Sequence, residues 1–213
     1  MSDCNESSFL KDVAKHEMVI VRADGVNRHV RFAQPGTYNM HFDLITWRGY
    51  LCYTGDMGTY VFKRLDDMFH FFRTDREHLH LRDGKTLAIN PSYWGEKLQA
   101  VDSSDGYRKW SKEKFESRIR EAFEEWIAER EQPDLDELRA QFQDEVLDVL
   151  DHGGMENAYS AALSFEVGGQ YPFQDWWEVN TDEYSYRFMW CCYALAWGVQ
   201  KYDELLARGK EPK

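Results

Sequence analysis

Histidine, cysteine and carboxylate side chains are the groups in this chain able to move protons, hold metals or attack electrophiles, and their spacing limits what each could do. His78 and His80 form an H-x-H pair with His70, Asp75 and Glu77 nearby. On a strand, residues two apart point the same way and could hold a metal; on a helix they could not. No third ligand is defined, so the simpler reading is polar edge histidines, and no metal site is assigned. His41, Asp43 and Asp56 could supply an acid, a base and a carboxylate partner if a sheet folded them together. Asp56, however, stands in Gly55-Asp56-Met57-Gly58, where Asp and Gly serve turn geometry, and polar strand residues normally face water. Cys191 and Cys192 lie between Trp190 and Tyr193 in an apolar run. A reactive thiolate needs an electropositive, accessible setting, so this pair reads as core. Gly55 and Gly58 flank a turn rather than open a helix, which excludes a P-loop or a dinucleotide fingerprint. No catalytic residue and no cofactor is expected.

The pattern with a functional signature is acidic. Glu121, Glu125 and Glu129 repeat at i, i+4, i+8, and Asp144, Asp148 and Asp151 at i, i+4, i+7. Stacked like charges cost a few tenths of a kcal/mol per pair on a helix. With Glu124 and Asp136 these residues make up a candidate partner-binding face. The competing reading is a solvated acidic surface that aids solubility, and the compensating pairs Lys112 with Glu116 and Glu116 with Arg120 support it. Of the net charge of −12, residues 1–110 carry none, because fifteen acids balance fifteen bases. Residues 111–151 carry fourteen acids against six bases. A direct grip on nucleic-acid phosphate, which needs a basic face, is therefore not expected.

The elements that must position these groups are clearest over residues 38–73. Three runs rich in β-branched and aromatic residues, separated by Arg48-Gly49 and by residues 55–58, predict a three-stranded meander. A short amphipathic helix follows, with Leu65, Met68, Phe69 and Phe72 on one face. Residues 17–23 and 29–33 add two strands, giving an antiparallel sheet of about five. Asn90-Pro91 opens a helix on which Trp94, Leu98 and Val101 follow at i, i+4, i+7. From Ser111 the pattern is helical. Phe115, Ile119, Phe123, Trp126 and Ile127 form one stripe, and Leu135, Leu138, Phe142, Val146 and Val149 a second. Pro133 lies between them, as in an antiparallel acidic hairpin over residues 111–151. Ala158, Tyr159, Ala162 and Leu163 share a third helix, and residues 171–179 read as a packed strand or extended segment. Thr181 caps a last helix over 182–208, apolar almost all round and so buried against the sheet.

The expected fold is α+β: the sheet packed against helices, the acidic hairpin and a buried C-terminal helix. Residues 1–16 read as a flexible tail, 17–106 as a sheet-rich half, 107–208 as a helical half and 209–213 as a second tail, all within one domain. The four cysteines lack C-x-x-C spacing, as reduced thiols do. The most apolar run, residues 188–199, falls short of the roughly twenty residues that cross a bilayer. A protein of the cytoplasm, off the membrane, is expected.

The segments HFDLITWRGYLCYTGDMGTYVFKR, INPSYWGEKLQAVD and WCCYALAWGVQKYD, in that order within residues 28–203, resemble a family of small proteins encoded by tailed phages and prophages of proteobacteria. The resemblance implies a setting, the cytoplasm of an infected bacterium. It brings no catalytic residue, cofactor or fold, and the acidic helices lie outside the matched segments. In that setting the expectation is a non-enzymatic accessory protein acting by protein–protein contact. It would inhibit a host defence nuclease complex of the CRISPR–Cas kind through its acidic face, offering carboxylates to a Lys/Arg groove in place of phosphate. One alternative is an enzyme of phage nucleotide or nucleic-acid metabolism with a sheet–helix pocket that uses His41, Asp43 or Asp56. Another is a structural homo-oligomer joined through exposed aromatics such as Trp176 and Trp177.

Overall fold

The computed structural model describes residues 4–78, 86–104, 106–129 and 134–209, with backbone alone at 74–78. The fold is α+β and falls into two compact units, one holding residues 1–108 and 184–213 and the other residues 109–183. Residues 184–208, grouped with the helical half by their sequence pattern, thus belong with the sheet.

In the first unit six strands pair antiparallel in chain order: β1 (Glu17–Asp24), β2 (Asn27–Ala33), β3 (Phe42–Trp47), β4 (Tyr50–Gly55), β5 (Gly58–Lys63) and β6 (Leu98–Val101). Alternation sends Phe32, Phe42, Leu44, Leu51, Tyr53, Tyr60 and Phe62 to one face, where all are fully buried. Arg31, Asp43, Ile45, Cys52, Thr54 and Val61 go to the other. The sixth strand replaces the far end of a predicted helix. Asn90 does cap α3 (Pro91–Gly95), accepting from the Tyr93 N–H at 3.2 Å, but the helix stops at Gly95. Glycine is a poor helix former, and β5 offers an open ladder, so Leu98 and Val101 pair with Phe62 and Tyr60 instead.

The predicted buried helix, α8 (Tyr186–Ala207), lies on the apolar face of the sheet. Gly198 permits the close approach, since a Cβ there would stand 2.8 Å from Leu44 Cδ1 and 3.2 Å from Phe32 Cε2. The helix starts later than its sequence suggests. Ser185, not Thr181, is the cap, accepting from the Phe188 N–H at 3.2 Å. Residues Asp182–Tyr184 form β8, which pairs with β7 (Arg108–Trp110), and the Thr181 hydroxyl is taken by the Tyr159 hydroxyl at 2.8 Å. Of the expected N-terminal tail, residues 5–12 are structured. Asn5 and Ser8 make a reciprocal capping box for α1 (Glu6–Asp12). Phe9, fully buried, packs edge-on against Trp190 at 4.9 Å, and Trp190 Nε1 donates to Asp12 Oδ2 at 3.0 Å. Of the expected C-terminal tail only Gly209 lies within the described residues.

Helix α2 (Met68–His78) begins three residues after Leu65, which is left outside it, and runs past Arg73. Its start is fixed by Asp67, which accepts the Phe69 N–H at 2.9 Å and a two-pronged grip from Arg28 at 2.8 and 3.0 Å. Arg28, its side chain only 10 % exposed, also lies over the rings of Phe69 and Tyr202, while Arg73 grips Asp203 of α8 at 2.7 Å. One polar network thus ties β2, α2 and α8 together.

The second unit has its own core. Helix α4 (Lys112–Ala128) buries Phe115, Ile119, Phe123 and Ile127. The Phe123 ring stacks on Phe142 of α5 (Leu135–Phe142) at 4.0 Å between centroids. Pro133 lies outside the described residues. The two arms run antiparallel, because Lys112 at the start of one pairs with Asp151 near the end of the other. The second arm is not one regular helix: a π-helical turn, Gln143–Leu147, separates α5 from α6 (Asp148–His152). That wider turn shifts the inward face, so Leu147 and Leu150 are buried where uniform periodicity predicts Val149, and Leu135 is 40 % exposed. Ala158 and Ala162 of α7 (Met155–Ser164) complete the core with Phe165, Phe173 and Trp176. Residues 171–179 form turns and a 3₁₀ turn, Trp176–Glu178, rather than the expected strand.

Burial works against ionising Asp67, yet the hydrogen bonds from Arg28, the Arg28 charge and the Phe69 N–H outweigh it and hold the carboxyl below its ordinary value. A depressed carboxyl contributes stability that is complete above its unfolded pKa of about 4 and is lost as pH falls through the folded value. Asp67→Ala leaves a buried guanidinium unpaired and uncaps α2. It should cost about 3 kcal/mol in denaturant unfolding at neutral pH and flatten the acid limb of the stability profile. A loss below about 1 kcal/mol would show that the network is dispensable.

Candidate functional site

Each acidic residue singled out by its spacing can now be placed on α4, α5, α6 or the turns between them. Glu121, Glu124, Glu125, Glu129, Asp136, Asp144, Asp148 and Asp151 are all exposed. They are not equally available. Glu124 accepts from Arg139 at 2.9 Å, Asp151 from Lys112 at 2.7 Å, and Glu121 stands 3.4 Å from Arg118. Hydrogen bonding from Arg139 holds the Glu124 carboxyl below its ordinary value, and Lys112 does the same for Asp151. Such exposed pairs are weak, so a stronger cationic partner could displace them. Asp148 accepts from the Gln143 side chain at 2.7 Å, a contact made across the π-helical turn. The two predicted runs, 121–129 and 144–151, therefore lie on the two arms of one hairpin, with Arg118, Arg139 and Lys112 offsetting only part of their charge.

The division between the units is sharper than the sequence halves suggest. The unit of residues 109–183 carries twenty Asp and Glu against seven Lys and Arg, a net charge of −13. The rest of the chain carries eighteen against nineteen, a net charge of +1.

The proposed trio His41, Asp43 and Asp56 is not assembled. His41 Nδ1 bonds to the Tyr38 carbonyl at 2.6 Å. Asp56 accepts the Met40 N–H at 2.9 Å and so braces Met40, whose φ of 55° is in the left-handed region. The Met40 carbonyl is in turn bonded to His16 Nε2 at 2.9 Å. Asp56 therefore has a structural task in the β3 entry turn. Gly55 beside it could not be alanine, because a Cβ would fall 2.2 Å from the His41 carbonyl oxygen.

Asp43 has a different histidine. On the sheet face away from α8, His29 Nε2 bonds to Asp43 Oδ1 at 2.7 Å, and Arg31 lies 3.6 Å from the other carboxylate oxygen. Asp43 is 7 % exposed. The pairing follows from register, with Arg31 directly opposite Asp43 and His29 on the diagonal, so only the β2–β3 alignment could have found it in the sequence. A histidine aligned by a carboxylate is half of a general-base device. A groove of about 470 Å³ in this unit is lined by other residues, including Leu10, Val13, Met18 and Trp197, and none of the His29, Arg31 and Asp43 side chains reaches it. The H-x-H pair cannot be placed, because the His78 side chain and all of His80 lie outside the described residues. Among the described residues, no helix is long and apolar enough to cross a membrane.

Comparison with known proteins found no matching family model, no matching curated protein and no matching solved structure.

Cys191 and Cys192 are fully buried in α8, and burial pushes both thiols well above their ordinary pKa. Burial, with the charge of Asp12, pushes the Cys4 thiol up to about 12. Iodoacetamide at about pH 8 should leave Cys191 and Cys192 unmodified in the folded protein and label all four cysteines in denaturant. Labelling of either residue under native conditions, read by peptide mass spectrometry, would contradict their placement in the core.

Proposed function

We propose that this protein acts by contact, presenting the unit of residues 109–183 as an acidic module to a basic groove on a host protein. The observation that carries the reading is the division of charge, −13 on one folded unit against +1 on the other. A charge excess of that size within one unit sets up a long-range attraction for a cationic surface, which speeds encounter and rejects anionic competitors. Nucleic-acid-binding proteins carry such grooves, and carboxylates on a rigid helical hairpin can occupy them in place of phosphate.

The phage-like segments supply the setting. There the protein would be an accessory factor in the cytoplasm of an infected bacterium, inhibiting a defence nuclease complex of the CRISPR–Cas kind by excluding its nucleic acid. No catalytic step, cofactor, membrane or direct nucleic-acid contact enters this reading. The interiors of both units support it, since aromatic and aliphatic side chains fill them. The polar groups nearest to an active-site arrangement, His29 and Asp43, lie on a sheet face instead of in a pocket.

The test is displacement of DNA from purified defence effectors, followed by mobility shift. Wild-type protein should release the nucleic acid, and its potency should fall as salt rises from about 0.05 to 0.3 M. Reversing Glu125, Asp144 and Asp148 to Lys should weaken displacement about tenfold or more while leaving the fold intact. Equal potency of the reversed protein, or displacement indifferent to salt, would rule out the acidic module as the contact surface.

A further inference from the structure

Among the described residues, the sheet has one long unpaired edge. Strand β6 ends the order on one side with four residues, whereas β1 ends it on the other with eight and pairs, within those residues, with β2 alone. Long, exposed edges with β-branched residues are templates for another strand. Here Val19 and Val21 are 55 % and 57 % exposed, and Met18 and Ile20 on the other face are only half-buried.

We infer that β1 is the interface of a homodimer, in which it pairs antiparallel with β1 of a second copy to make one continuous sheet. The occupant is argued from self-complementarity. Pairing of Val19 with Arg31 and of Arg22 with His29 places Val19 and Arg22 on the open face, and Glu17, two residues before Val19, shares it. The register slips between Ile20 and Arg22, so Val21 and Arg22 together occupy one step of the ladder. A two-fold axis normal to the sheet through Val19 then sets Val19 against Val19 of the second copy and Met18 against Ile20. Glu17 meets the Val21–Arg22 step. Each strand end gains a Glu17–Arg22 pair across the interface, and both pairs form at once by symmetry. Arg22 is free to change partners cheaply, because its present contact with Asp24 is exposed on both sides.

The groove beside this edge fits the same occupant. It is lined by Leu10, Val13, Met18 and Trp197, with Lys201 and Arg208 towards the end of α8. In the proposed register Ile20 of the second copy lies over Met18, at the groove's apolar wall. The edge also belongs to the unit of net charge +1, so pairing here does not need two acidic modules to bind each other.

Sedimentation equilibrium and light scattering, at concentrations up to about 200 μM, test this directly. The expected result is a reversible species of twice the 25.3 kDa chain mass. Glu17→Arg and Arg22→Glu should each raise its dissociation constant about tenfold, since one substitution removes two cross-strand pairs and opposes like charges. The double variant E17R/R22E should bring the constant back to within about threefold of wild type. Both positions are exposed, and circular dichroism of the double variant controls for folding. A chain that stays monomeric at every concentration would overturn the inference. So would a dimer indifferent to the single reversals, or one that the double variant fails to restore.

Discussion

The first unit depends on how closely α8 approaches the sheet. Gly198 faces Leu44 and Phe32 with no room for even one methyl group, and all the residues around this contact are buried. Close packing of that kind is felt at the level of single methylenes, so the helix and the β2–β3 pair position each other. Everything else in the unit is arranged around the seam. Phe9 of α1 closes one end of it against Trp190, and the Arg28–Asp67 and Arg73–Asp203 grips lock α2 beside the other. Because the helices gather on that face, the chemistry-bearing polar residues of the strands, His29, Arg31 and Asp43, are left on the open one.

A second core makes the charge division physically affordable. Phe115, Phe123, Phe142, Phe165 and Trp176 pack within residues 109–183, so the acids of this unit stand on a core of their own. Repulsion along α4 is partly relieved by Arg118 and Arg120, and between the arms by Arg139 and Lys112. What remains is a surplus of carboxylates on a folded helical scaffold. That arrangement suits electrostatic docking.

Much of the architecture was legible in the sequence because local pattern and tertiary outcome agree. The meander of β3, β4 and β5 follows its turn residues and its alternation, and the apolar band of α8 foretells a buried helix. The misses share a cause, since they are places where a distant partner overrules local signal. Leu98 and Val101 have helical spacing but answer to the free ladder of β5. Phe9 sits in a polar N-terminal stretch and is recruited by Trp190. The π-helical turn shifts the inward face from Val149 to Leu147 and Leu150, and no single residue type announces it. Of the candidate site, the acids and their exposure were legible, while their pairing with Arg139 and Lys112 needed the hairpin. His29 was invisible because register, not spacing, brings it to Asp43.

The central claim is that the carboxylates of the second unit are where a partner binds. Carbodiimide footprinting reads it most directly: Asp and Glu side chains are labelled with an amine in the free protein and in complex with a captured host protein, then quantified peptide by peptide. The expected result is protection concentrated at Glu125, Asp136, Asp144 and Asp148, with Asp24 and Asp66 of the sheet unit labelled equally in both states. Protection confined to the sheet unit, with the hairpin carboxylates unchanged, would contradict the claim.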